Sequence, residues 1–216
     1  MRELALKHQG AARKQIVSLL LELNIIVPNS QTRLLSRLDD VFEDGENGLS
    51  DILRVTLFFA KQQLEVMIDT VRQYDIYLER AVHSLPDCKK LLQLEGVGAI
   101  NAVNLYIALS GEQYKKGKDM SASIGLTPIQ HSSGGKTNLG TIGKHCKNNL
   151  LRSQLISGAM SVVTKILKYG AKTKKELWLE ALMARRGNKC AAVALANKTV
   201  RTAYAMLTQG TEYHAA

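Results

Sequence analysis

Apolar side chains recur at helical spacing from the start of the chain. Over about Leu4 to Leu23, Ile16, Leu19, Leu20 and Leu23 succeed one another in steps of three and one, which predicts a helix that ends at Asn24, ahead of Pro28. The polar Pro28-Asn29-Ser30 then leads into a brief helix around Leu34 to Val41, and Glu43 to Gly48, with two glycines among clustered acids, reads as a loop. Between Ser50 and Leu85 there is neither Gly nor Pro, and Ser50 is a suitable N-cap. Along this stretch Leu53, Leu57, Ala60, Leu64, Met67 and Val71 alternate steps of four and three, and Tyr74, Leu78 and Ala81 continue the series. Such a heptad seam predicts one long helix, paired either with a second protomer as a coiled coil or folded back on the first helix. Pro86 closes this arm.

Residues 87–216 read as a compact helical domain, because runs alternating with β-branched residues are absent. The expected fold is all-α: a coiled-coil-like arm over residues 1–86, then a helical domain over 87–216. No stretch reaches the roughly 18 unbroken apolar residues of a membrane span, and the start of the chain lacks a signal-peptide pattern. The three cysteines are widely spaced and odd in number, which fits neither a metal pair nor a disulfide framework. A cytoplasmic protein without membrane contact is expected.

Charge changes the picture because it is uneven. Residues 111–190 hold 15 Lys/Arg against 4 Asp/Glu, whereas residues 1–110 hold 12 against 14. A cationic segment of that density suits phosphate neutralisation, and equally suits a solvated basic surface. Within or beside it lie three motifs. Gly96-Val97-Gly98 ahead of an apolar helix matches a helix-hairpin-helix turn, in which Gly96 and Gly98 let backbone approach a phosphate at a helix start; it also matches an ordinary tight connection. Ser132-Ser133-Gly134-Gly135-Lys136, followed by Lys144, would form a nucleophile loop flanked by cations, or a simple turn. Arg152, Lys165, Lys168, Lys172, Lys174 and Lys175, then Arg185, Arg186 and Lys189, place cations on successive helices. Trp178, between Leu177 and Leu179, reads as core.

The combination of Gly125-Leu126-Thr127-Pro128, Ser132-Ser133-Gly134-Gly135-Lys136, Leu151-Arg152 and Asn188-Lys189 running into Ala191 to Lys198 resembles the serine-bearing domain of the insertion-sequence one-ten family of transposases, with its one-sixteen and nine-oh-two groups. Lys14 to Asn47 is similar to the segment that comes after the first domain in that family. The resemblance implies a DNA recombinase guided by a structured RNA. Ser133 would be the nucleophile and Ser132 the second choice, with Lys136, Lys144 and Arg152 facing DNA and the heptad seam assembling a homo-oligomer. It also implies a RuvC-like acidic domain as partner, supplied elsewhere or by full-length transposase. No cofactor is then expected in this chain, and magnesium only with that domain. One departure is local: Lys144-His145-Cys146-Lys147-Asn148-Asn149 lacks a glycine the family usually carries ahead of the Leu-Arg pair.

The leading expectation is therefore a DNA-binding, serine-bearing transposase part that is inactive alone. Against it stand a non-catalytic helix-hairpin-helix module or regulator that binds nucleic acid, and a purely structural helical adaptor.

Overall fold

The computed structural model describes residues 1–111, 114–143, 146 and 148–213, less the side chains at 137 and 139. The chain divides into two compact units, Met1–Tyr77 and Leu78–Ala216, a boundary that falls before Pro86 and within the long helix.

The first unit is built from helices α1 (Arg2–Glu22), α2 (Gln31–Glu43) and most of α3 (Asp51–Ser84). Asn24, with φ of 58°, turns the chain at the end of α1, where Ile25 N–H donates to Leu20 O. Ile16 and Leu20 of α1, Leu34, Leu38 and Val41 of α2, and Leu57 and Leu64 of α3 share one buried core. This part of the heptad seam is thus covered from within the chain. Polar contacts fix the arrangement: Arg2 pairs with Asp75 and Lys61 with Asp39. Arg54 donates to the carbonyls of Val41, Phe42 and Asp44, satisfying acceptors that the end of α2 leaves open. Ser50 Oγ accepts from Leu53 N–H at 3.4 Å, as a cap should.

The second unit places α4 (Pro86–Leu91), α5 (Ala99–Gly111), α6 (Gly117–Ser123), α7 (Asn149–Tyr169) and α8 (Lys174–Arg186) around α9 (Asn188–Thr208). α9 packs against all five. Its buried face is rich in small residues, with Ala191, Ala192, Ala196 and Ala203 beside Leu195 and Val200, so neighbouring backbones approach closely. α8 begins with a capping box: Thr173 Oγ1 accepts from Glu176 N–H, and the Glu176 carboxylate accepts from Thr173 N–H.

The all-α expectation holds, with one local addition. Residues 128–142 form an antiparallel hairpin of β1 (Pro128–Ser133) and β2 (Lys136–Ile142). Gly134 and Gly135 have φ of 56° and 76°, and two successive positive-φ residues joining strands are what a type I′ hairpin turn requires. The serine segment is therefore two strands and a turn, where a loop or a simple turn without strands was expected.

Candidate functional site

The hairpin presents both candidate serines to solvent. Cross-strand partners are Ser133 with Lys136, Ser132 with Thr137, and His131 with Asn138. Side chains alternate across a strand, so Ser133, Lys136 and His131 lie on one face of the hairpin and Ser132 lies on the other. Gln130 Nε2 donates to Ser132 Oγ at 3.1 Å along that second face. The two serines are thus not equivalent, and only Ser133 shares its face with the Lys136 cation.

Arg152 lies at the opposite end of the hairpin. A Cβ on Gly143, just past β2, would fall 1.0 Å from Arg152 Nη1, so the guanidinium occupies the space a side chain would need. Its Nη2 donates to Asn149 Oδ1 at 2.7 Å, and Nε is buried without a hydrogen-bond partner among the described residues. At about 3.3 Å per residue, the seven steps from Lys136 to Gly143 separate the serine turn from Arg152 by roughly 20 Å. The structure does not bring Ser133 and Arg152 together. Lys144 lies outside the described residues.

The Gly96 and Gly98 turn splits into two roles. Gly96 has φ of 76°, and a Cβ there would meet Gly158 O of α7 at 2.6 Å. Asn101 Nδ2 closes the knot by donating to Gly96 O at 3.2 Å and Gln154 O at 3.3 Å. The close approach that Gly96 permits is therefore to helix α7. Gly98 is exposed, with open space where a Cβ would stand, and its carbonyl accepts from Ala102 N–H at the start of α5.

The cations after residue 150 are likewise of two kinds. Lys165 pairs at 3.0 Å with Glu176, which is 5% exposed and also accepts from Lys172 N–H at 2.8 Å. That backbone bond, followed by the Lys165 bond, holds the Glu176 carboxyl below the usual carboxylate range. Lys175 pairs with Glu95, and Tyr213 Oη donates to the same carboxylate at 2.5 Å. Burial pushes Glu95 up, but the hydrogen bonds from Lys175 and Tyr213 and the nearby cation together hold it below its ordinary range. Burial, then the Glu95 bond, raises the Tyr213 phenol. Lys165 and Lys175 therefore serve the fold. Arg185 and Arg186 are exposed in the last turn of α8, where cations also complement the helix dipole.

Lys189 opens onto a cavity of about 1260 Å3 floored by apolar groups such as Leu126, Ile142 and Val193. Its cationic rim adds Lys115, Lys116, Lys118, Lys198 and Arg201. Trp178 is 38% exposed and lines this cavity, with Lys198 Nζ 4.7 Å from its ring centroid. Trp178 is therefore not the core residue its leucine neighbours implied: Leu179 takes the buried position and Leu177 is exposed. No helix is long and apolar enough to cross a membrane among the described residues.

A helical domain that projects a serine-bearing hairpin is the structural class, and comparison with known proteins gives its kin. Residues 88–176, from α4 into α8 and including the hairpin, match the model described as Transposase IS116/IS110/IS902 family. The chain is 32% identical over 215 residues to the transposase for insertion sequence element IS1111A of Coxiella burnetii, covering 99% of this chain and 58% of that protein. It is 30% identical over 214 residues to the transposase for insertion sequence element IS1328 of Yersinia enterocolitica, covering 99% and 62%. A putative transposase of Sinorhizobium fredii is 30% identical over 218 residues, covering 100% and 55%. Residues 88–176 thus resemble the IS116/IS110/IS902 transposase family, and the chain spans little more than half the length of the relatives it matches.

Proposed function

We propose that this chain is the DNA-binding, serine-presenting part of an insertion-sequence transposase, with Ser133 as the attacking group. The observation that carries the reading is the exposed hairpin inside the family match, which sets Ser133 on one face with Lys136 and His131 and turns Ser132 away. Attack of Ser133 Oγ on a DNA phosphorus would form a serine O–P bond and break one ester P–O bond. The serine proton leaves and the departing sugar oxygen gains one. Lys136 offsets charge that gathers on the phosphate oxygens. DNA is held by cations on the hairpin and around the α8–α9 junction, and by the exposed start of α5 at Gly98.

In this reading magnesium would come only with the acidic domain. No group of three or more His, Cys, Asp or Glu able to hold a metal occurs among the described residues, so no step is routed through it. The acidic groups that complete the reaction come, in this reading, from outside residues 1–216.

The test is a search for covalent protein–DNA adducts on denaturing gels, using labelled duplex carrying the element's ends. The chain alone should bind but form no adduct. With a family acidic domain added, adducts should form, vanish in Ser133→Ala and persist in Ser132→Ala. Adducts that survive Ser133→Ala would remove Ser133 from this role.

A further inference from the structure

The cavity beside α9 lies apart from the serine turn, and its construction is unlike a phosphate-only surface. Apolar residues such as Leu126, Ile142 and Val193 line it together with Trp178, and its cations come from two sides: Lys115, Lys116 and Lys118 lead into and begin α6, and Lys189, Lys198 and Arg201 stand along α9. No carboxylate occurs among its described lining residues. The walls are firmly set. Asn197 Nδ2 donates to Leu126 O at 3.1 Å, Tyr204 Oη to Tyr114 O at 2.7 Å, and a Cβ on Gly117 would lie 3.3 Å from Arg201 Cα.

Charge and shape narrow the occupant. A volume of about 1260 Å3 exceeds the roughly 300–1,000 Å3 of a small-molecule site. Duplex DNA offers its flank as phosphates and leaves an apolar floor unused. An unpaired strand offers phosphates to the rim and base faces to the floor, which is how aromatic-lined cationic grooves take single strands. We propose that this groove seats an unpaired stretch of DNA, with a base stacked on Trp178 and neighbouring phosphates held by Lys198 and Arg201. Lys198 Nζ sits over the indole, and a stacked base displaces it onto a phosphate. The choice of DNA rests on the transposase reading; the groove's preference for an unpaired strand does not.

Trp178 is the only tryptophan in the chain, so its fluorescence reports on this groove alone. We expect oligo(dT) to quench it and to compete poorly with duplex that is followed separately by the anisotropy of a label on the DNA. Followed by the anisotropy of labelled oligo(dT), because these variants carry no tryptophan, Trp178→Ala should weaken oligo(dT) binding roughly ten- to a hundredfold while Trp178→Phe retains most of it. Lys198→Gln with Arg201→Gln, both exposed positions, should weaken oligo(dT) binding and lower its salt dependence. Loss of duplex anisotropy with quenching intact would overturn the transposase reading but not the groove. Duplex quenching as strong as that of oligo(dT) would overturn the unpaired-strand assignment, as would no quenching at all, and oligo(rU) binding more tightly than oligo(dT) would overturn the choice of DNA.

Discussion

Gly158→Ala puts a single methyl group into the close contact between α7 and the Gly96 turn. The new Cβ would lie 2.0 Å from Gly96 O and 2.9 Å from Asn101 Nδ2. The first of these atoms is backbone, so a rotamer change cannot relieve it. Two effects oppose each other. Alanine is the better helix former by about 0.5–1 kcal/mol. Overpacking a fitted contact costs about 1–3 kcal/mol, and shifting the Gly96 turn puts at risk the Asn101 hydrogen bonds, each worth about 0.5–1.5 kcal/mol. The steric side wins, and the net loss is about 1–3 kcal/mol. At roughly 2–4 °C per kcal/mol for a chain of this size, the melting temperature should fall by several degrees. Gly10→Ala is the matched control, since Gly10 is helical with no atom within 4 Å of an added Cβ, and it should be neutral or slightly stabilising. Thermal melts followed by circular dichroism, with urea midpoints, decide the matter. A Gly158→Ala protein as stable as the parent would refute the close contact between α7 and the Gly96 turn.

Other perturbations separate fold from function. Gly98→Ala should leave the melting temperature within about 1 °C, because its Cβ meets open space, yet weaken duplex binding if the start of α5 lies against a phosphate; binding assays on the folded variant check this. Thr173→Ala removes the cap of α8 and should cost about 0.5–2 kcal/mol in urea unfolding. The lowered carboxyls of Glu95 and Glu176 add stability that is fully present above the ordinary carboxylate range and is lost as pH falls through their folded values. Acid unfolding followed by circular dichroism should therefore be less steep in Glu95→Gln and Glu176→Gln than in the parent.

Much of the helical framework is legible in the sequence because its signals are local. The absence of Gly and Pro between Ser50 and Leu85 foretells α3, and the step of seven from Leu57 to Leu64 foretells its buried stripe. What covers that stripe is a tertiary matter that spacing leaves open, and α1 and α2 supply it. The hairpin is hard to see because only Ile129 in β1 is more than slightly buried, which leaves little alternation to detect; Gly134-Gly135 is the available signal, and it reads as loop or turn until paired positive φ fixes a hairpin. Trp178 departs from its expected place in the core, and Gly96 takes the tight-connection role left open for it, for a common reason. Their neighbours in sequence suggest one environment, while α9 and Gly158, distant in sequence, create another. The cationic rim of the α9 groove is likewise invisible, since Lys115 and Arg201 meet only through folding.

The salt dependence of duplex binding tests the central reading most directly. Binding of a labelled duplex bearing the element's ends should be followed across a salt series. Contacts from Lys136, the α8–α9 cations and their neighbours would neutralise about four to seven phosphates, so log K should fall against log salt with a slope of roughly −4 to −6. A flat response, or no binding at low salt, would contradict the account and leave a helical adaptor.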